Sequence, residues 1–207
     1  MAIIHRTHLK PTKLELLTTW LPTRLWYHGP AEPELAKAGG FRLDDPEGEV
    51  GIEFMVVTDG SGAYLVPLTY RAAPLPGAEH ALVGTMEHGV LGPRWAYDGC
   101  HDPVLTAELA ALVEGRAEAQ AQSVSDTPDR EVARSWTGAA RVPDLGAPND
   151  TDTATEFAVP DGPTLRLHRV LTPGSTPPEG ALGQVTGAWA RADGTRVRAL
   201  FAALQPS

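Results

Sequence analysis

Charged side chains recur in and beside the strands predicted for the first half of the chain. The set comprises Glu53, Arg71, Glu87, His88 and Arg94. Two carboxylates, an imidazole and two guanidinium groups on one open sheet face could bind a small polar ligand or a partner protein, or could serve an enzyme. The competing interpretation, which we favour, is a solvated face whose cross-strand ion pairs each contribute well under about 1 kcal/mol.

An aromatic segment at residues 19–29 is the second candidate surface, in a chain with only 6% aromatic residues. Exposed aromatic side chains can stack on a ligand, whereas a Trp beside a leucine-rich helix usually belongs to the core. We predict a core position for Trp20 and leave Trp26 and Tyr27 open. Arg24, Trp26 and Tyr27 therefore join the candidate ligand or partner surface.

Other common chemistries lack their sequence patterns. The 7 histidines form no HxxxH or HExxH pair, and Cys100 is the only cysteine. These patterns predict no metal site, no cofactor and no internal disulfide. The acidic residues at 44–49 are predicted to form a solvated loop, because the ligand spacing of a calcium loop is missing. The motifs GxSxG, GxGxxG and GxxxxGK[ST] are also missing, so no residue is predicted to be catalytic.

Charge and hydropathy limit the partners and the compartment. The net charge is −9, and Lys10, Lys13 and Lys37 are the only lysines, with no basic run among them. Nucleic acids and anionic membranes select for clusters of Lys and Arg, so neither is an expected partner. The N-terminus lacks the apolar core of a signal peptide, and no apolar stretch approaches the roughly 20 residues of a membrane span. We expect a cytoplasmic protein.

Two helices have clear start signals. Thr12 and Glu15 form a capping box, which predicts a helix over about 12–21. Asp102 is a predicted N-cap followed by a proline at the first helical position, which predicts a second helix over about 102–115. We expect both helices to cover the apolar face of a sheet.

The strongest strand signal is a hairpin. Apolar residues alternate over 50–56 and again over 63–70, and the residues at 59–62 suit the turn between them. If the apolar side of the first arm faces the core, Glu53 points to the opposite face. Pro67 cannot donate to a strand ladder and therefore indicates an edge strand or a bulge.

The remaining pattern predicts an α+β protein with a mainly antiparallel sheet. Further strands are predicted near 3–9, 41–43, 81–87, 90–97, 132–137, 155–159, 164–170, 182–190 and 196–204, with a turn at 160–162. We divide the chain into a first domain over 1–122, a linker or irregular segment over 123–153, and a C-terminal β-hairpin region over 154–207 that packs on the first domain.

Several segments resemble a known family. Trp20-Leu21-Pro22-Thr23-Arg24-Leu25-Trp26-Tyr27-His28-Gly29, with Tyr64–Tyr70 and Ala81–Thr85, resembles the N-terminal cap domain of bacterial maltokinases over roughly residues 1–120. The chain resembles even more closely a group of stand-alone actinobacterial proteins described as cap-like. The motifs that fit this group are Asp44–Glu53, Val66–Arg71 and Glu87–Gly92.

The resemblance implies a cystatin-like cap, a curved antiparallel sheet with helices, which in the kinases precedes a nucleotide-binding subdomain. Residues 155–169 look like the first hairpin of that subdomain, with Arg166 where a phosphate-binding Lys is expected. Arg is not equivalent to Lys at such a site. The H-x-D catalytic loop and the later metal-binding Asp are missing, so we expect no kinase activity.

The leading hypothesis is a non-catalytic binding or regulatory module that acts on a partner protein. Its link to trehalose, maltose or glycogen metabolism comes from the resemblance alone. One alternative is a small-molecule-binding protein or enzyme that uses the polar face around Glu53 and His88. Another is an accessory part of a phosphotransferase completed by another chain. A free sheet edge would also allow a homodimer.

Overall fold

The computed structural model describes residues 9–124, 126–159 and 162–206. Its α-helices are α1 (Lys13–Trp20) and α2 (Pro103–Glu114), and single 3₁₀ turns lie at Leu21–Thr23, Glu79–Ala81 and Gly99–His101. Its strands are β1 (Leu9–Lys10), β2 (Ala36–Leu43), β3 (Gly51–Thr58), β4 (Ala63–Arg71), β5 (Leu82–His88), β6 (Gly92–Asp98), β7 (Ala133–Trp136), β8 (Pro148–Asp150), β9 (Ala154–Ala158), β10 (Thr164–His168), β11 (Gly183–Ala190) and β12 (Arg196–Gln205). The strand predicted over 3–9 lies outside the described residues except for Leu9, as do residues 160 and 161 of the predicted turn.

The described strands form one antiparallel sheet. The order is β1-β5-β6-β4-β3-β2-β11-β12-β10-β9-β8. Strand β7 shares one edge of β11 with β2: β7 pairs with residues 183–186, and β2 meets β11 where Gly39 lies opposite Trp189. Together with the two helices, this sheet confirms the predicted α+β class with C-terminal strands.

Both helices begin where their local signals predict. The Thr12 hydroxyl accepts the Glu15 N–H at 3.2 Å, and the Glu15 carboxylate accepts the Thr12 N–H at 2.7 Å, which completes the capping box. The Asp102 carboxylate accepts the N–H of Val104 at 3.0 Å, and α2 ends at Gly115 in the left-handed conformation. No helix in the described residues is long and apolar enough to cross a bilayer.

Strand β3 is buried on both faces, so the expectation of an open, solvated face around Glu53 was wrong. Ile52, Phe54 and Val56 point into a core that α2 covers. Met55 and Val57 point into a second core that α1 covers. The helices therefore lie on opposite faces of the sheet, whereas the sequence predicted a single apolar face beneath both of them.

The core under α2 joins the first half of the chain to the C-terminal strands. The rings of Phe41 in β2 and Phe54 in β3 stack with centroids 4.6 Å apart, and the ring of Phe201 in β12 lies 6.3 Å from that of Phe41. Strands β7 and β8 fall within the segment predicted as a linker or irregular. The division into separate folding units over 1–122 and 154–207 stays a prediction.

Pro67 lies in the middle of β4, where the neighbouring ladder has ended. It pairs with Phe54 of β3 on one side, while the ladder to β6 begins one residue later at Leu68. The N–H of Leu65 points away from β3 and donates to the carbonyl of Arg169. Because alternate N–H groups along a strand point the same way, the donor that Pro67 lacks would also point away from β3, beyond the end of β6.

Candidate functional site

The carboxylate of Glu53 is the centre of a polar cluster on the face of the sheet that α1 covers. The residue is 3% exposed. Lys13 at the start of α1 forms an ion pair with Oε2, and the Tyr70 hydroxyl donates to the same oxygen at 2.8 Å. On the other oxygen, Oε1, Gln122 donates from Nε2 at 3.0 Å, and Nζ of Lys37 lies 3.5 Å away. Both carboxylate oxygens are therefore satisfied.

The cluster holds Glu53 in its charged form. Burial on its own raises the pKa of this carboxyl, but the ammonium groups of Lys13 and Lys37 and the hydrogen bonds outweigh burial, and the net pKa is lowered. Burial and the adjacent Glu53 charge raise the pKa of Tyr70 well above its usual range. At neutral pH the pair is thus a carboxylate and a neutral phenol, which suits a buried structural network.

The aromatic segment packs into the core under α1. Trp20 is 6% exposed, which confirms its predicted core position, and its ring lies 5.9 Å from that of Trp26. Trp26 is 0% exposed and Tyr27 is 8% exposed. The Arg24 guanidinium lies over the Trp20 ring at 4.8 Å. The sequence did not decide whether Trp26 and Tyr27 are buried, and the structure places both side chains in the interior.

Tyr27 closes this core through a hydrogen bond to the β3–β4 turn. Its hydroxyl donates to Oδ2 of Asp59 at 2.5 Å. Burial and this carboxylate raise the pKa of Tyr27. Burial raises the pKa of Asp59, but hydrogen bonds from Ser61 and Tyr27 outweigh it and lower the net value. A Cβ at Gly29 would lie 2.0 Å from Oδ2 of Asp59 and 2.2 Å from the Tyr27 hydroxyl, so only glycine fits beside this bond.

A second polar pair, Asp98 with Arg169, is buried where the two halves of the chain meet. Nη2 of Arg169 donates to both oxygens of Asp98, at 2.8 and 2.7 Å, and Nε donates to Thr155 at 2.7 Å. The guanidinium also lies over the Trp26 ring at 4.8 Å. Burial opposes the charged form of Arg169, but Asp98 outweighs burial and raises the pKa of the guanidinium.

Sequence reasoning missed this pair, although a signal was present. Leu165 and Leu167 face the core, and Arg169 continues the same alternation two residues later. An arginine on an inward position predicts a buried anionic partner, because an unpaired buried charge is strongly unfavourable. The alternation does not identify that partner, because Asp98 lies 71 residues earlier in the chain.

The other predicted candidates lie on β4 and on the β5–β6 hairpin. Arg71 forms a two-point ion pair with Asp102, the N-cap of α2, at 2.7 and 2.6 Å. Glu87, His88 and Arg94 lie on the β5–β6 hairpin, remote in sequence from the aromatic segment. Within residues 9–124, 126–159 and 162–206, no three His, Cys, Asp or Glu side chains converge in a way that could hold a metal ion.

These features define an α+β protein in which one antiparallel sheet carries a helix on each face and a buried ion pair links its halves. Residues 20–102 match the model of the maltokinase N-terminal cap domain, from the last residue of α1 to the N-cap of α2. The resemblance predicted from the sequence is confirmed over this segment, which is less than half of the 207 residues. A comparison with curated proteins found no match.

Proposed function

We propose that this chain is a non-catalytic, cap-like binding or regulatory module that contacts a partner protein of trehalose, maltose or glycogen metabolism in the cytoplasm. The observation that carries the proposal is the match of residues 20–102 to the maltokinase N-terminal cap domain. The ion pairs that hold polar side chains of residues 20–102 in place support a structural, non-catalytic role for these side chains. Glu53 is held by two lysines, and Arg71 is held by Asp102.

The β5–β6 hairpin is the partner surface that we propose. It carries three of the sequence-predicted candidates, Glu87, His88 and Arg94, and its tip presents Val90 at 60% exposure and Leu91 at 44%. Nδ1 of His88 accepts the N–H groups of both tip residues, at 3.3 and 3.1 Å, which holds the tip in shape. Exposed apolar side chains rimmed by charged ones are typical of a protein contact.

Affinity capture tests this proposal. The tagged protein is incubated with a native actinobacterial extract, and the bound proteins are identified by mass spectrometry. We expect a maltokinase or another enzyme of trehalose, maltose or glycogen metabolism to be recovered. A matched bait, V90S/L91S, changes two exposed side chains and should retain its circular dichroism spectrum while recovering less of that enzyme.

Two results would count against the proposal. Recovery of no enzyme from these pathways would remove the metabolic assignment. Equal recovery by V90S/L91S would show that the contact does not lie on the hairpin.

Size-exclusion chromatography with light scattering tests the proposed homodimer. Within the part of the chain that the structure describes, the outer strands β1 and β8 span two and three residues, and β8 begins with Pro148, which cannot donate to a neighbouring strand.

ATP binding separates this proposal from a phosphotransferase subunit. Arg166 lies where the resemblance places a phosphate-binding Lys, but its guanidinium pairs with Glu156 on the adjacent strand and donates to Thr153 at 3.0 Å. We expect calorimetry with ATP and magnesium to show no micromolar binding by the isolated protein. Clear micromolar binding would instead support the phosphotransferase alternative.

A further inference from the structure

A depression beside the C-terminal end of α2 gathers arginines that the proposed partner surface does not use. Arg116, Arg130 and Arg134 line a space of about 460 Å³, together with apolar residues of α2 and of the following segments. We call it the arginine depression. This local group of three positive charges contrasts with the net charge of the whole chain, which is −9.

Backbone hydrogen bonds hold the walls of the arginine depression in place. The N–H of Asp129 donates to the carbonyl of Ala119, and the N–H of Ala121 donates to that of Thr127, both at 2.8 Å. These bonds pair the two loop segments like strands of a short hairpin. The site is therefore preformed, which lowers the entropy lost when a ligand binds.

Gly115 allows one arginine to approach the helix end closely. Its φ of +80° belongs to the left-handed conformation that ends α2. A Cβ at this position would lie 2.1 Å from Cζ of Arg134. The guanidinium therefore packs directly on the glycine, at the edge of the depression.

Two of the three guanidinium groups are available to a ligand. Arg116 pairs with Glu114. Among the described residues, the side chains of Arg130 and Arg134 have neither an ion-pair nor a hydrogen-bond partner. Glu118 and Asp129 also line the depression, and Oδ1 of Asp129 accepts the N–H of Glu131 at 2.9 Å. The lining thus holds three guanidinium groups and two carboxylates, and Glu114, which pairs with Arg116, lies just outside it.

The floor of the depression is apolar. Leu112 and Ala119 are buried there, and Ala117 and Val132 are half-buried beside them. Guanidinium groups bind carboxylates and phosphates through paired N–H donors, and an apolar floor favours a ligand with a hydrocarbon part. We propose that the arginine depression binds a small organic oxyanion. Its charged end lies against Arg130 and Arg134, and its apolar part lies on Leu112 and Val132.

Calorimetric titration with four probes tests this site and distinguishes the head group. The probes are hexanoate, hexyl phosphate, acetate and inorganic phosphate. Because the apolar floor contributes to the binding of a hydrocarbon chain, hexanoate should bind at least about tenfold more tightly than acetate. Hexyl phosphate should exceed inorganic phosphate by at least about the same factor. The tighter of the two six-carbon probes identifies the ligand as a carboxylate or a phosphate. No binding of either at about 10 mM would overturn the proposal.

Arginine variants provide the second part of the test. Arg130→Ala and Arg134→Ala should each weaken the six-carbon probe at least about tenfold, since each removes a charge-assisted contact. Arg130→Lys keeps the charge but loses the paired donors, so its affinity should fall between wild type and Arg130→Ala. The matched control is Arg191→Ala, an exposed arginine that does not line the depression, and it should bind like wild type.

Thermal unfolding of the same variants separates binding from a purely structural role. A cation near a helix C-terminus stabilises the helix dipole, so Arg134→Ala could lower the melting temperature on that ground alone. Unchanged probe affinity in both Arg130→Ala and Arg134→Ala would overturn the proposal, whatever happens to their stability. Loss of affinity in a folded Arg130→Ala supports it.

Discussion

Arg169 and Asp98 form an ion pair with almost no exposure to solvent, and they come from opposite halves of the chain. One nitrogen of the guanidinium donates to both carboxylate oxygens, at 2.8 and 2.7 Å, while the exposed fractions of the two residues are 0% and 1%. Asp98 ends β6 within the cap-like segment, and Arg169 follows β10. The contact therefore ties the C-terminal strands to the segment that matches the cap domain.

Breaking this pair should destabilise the whole protein. Asp98→Asn leaves a buried guanidinium without its counterion, so we expect the free energy of unfolding to fall by about 3–5 kcal/mol in chemical denaturation. The double variant D98N/R169M removes both charges and should lose less than the sum of the single variants. Arg166→Met is the control, because Arg166 and Glu156 are each 30% exposed and their pair should contribute about 1 kcal/mol or less. Equal losses in D98N and R166M would contradict this prediction.

Glu53 should make stability depend on pH on the acid side. Its pKa is lowered from the ordinary 4.5 in the folded protein, so its contribution is present above pH 4.5 and is lost as the pH falls through the folded pKa. Glu53→Gln should be less stable than wild type at pH 7, because Lys13 and Lys37 lose their counterion.

The measurement is the free energy of unfolding of wild type and Glu53→Gln between about pH 3 and 7. We expect the gap between the two curves to narrow as the pH falls below 4.5. Glu87→Gln, an exposed carboxylate changed in the same way, controls for the loss of one negative charge. A constant gap across this range would show that the folded pKa of Glu53 is not lowered.

His168 should affect stability in a higher pH range. Burial, and then the nearby Arg166 charge, lower its pKa from 6.5 to about 4. The unfolded chain therefore binds the proton first, and stability should fall by up to about 1.4 kcal/mol per pH unit as the pH drops from 6.5 towards 4. An NMR titration of the His168 ring checks the value directly, and His168→Gln should remove this part of the slope. A midpoint near 6.5 would contradict the prediction.

Gly29→Ala should disturb the Tyr27–Asp59 hydrogen bond. The new methyl group would lie within 2.2 Å of both bonded oxygens, so the two side chains must separate. We expect a loss of about 1–3 kcal/mol, measured by chemical denaturation. Adding Tyr27→Phe removes one clashing oxygen, so the double variant should lose less than the sum of the single changes. Additive losses would indicate that the methyl group is accommodated elsewhere.

Local signals accounted for much of the secondary structure. The capping box at Thr12 and Glu15 and the N-cap at Asp102 identified both helices, because these contacts form between residues two or three apart. Alternation of apolar residues identified β3 and β4 and the four C-terminal strands. The burial of the candidate site residues could not be predicted in this way. Whether Trp26 and Glu53 are buried depends on which distant elements pack over them.

The sequence by itself determined both α-helices with their ends, most of the strands and the fact that Glu53 faces away from Phe54. Only the tertiary structure decided that α1 covers the Glu53 face and α2 the other, and that Arg169 meets Asp98 from 71 residues away. The physical reason is the separation along the chain between the residues that interact. A period of two residues states which side chains share a face of a strand, but the element that covers that face is selected by packing between distant parts of the chain.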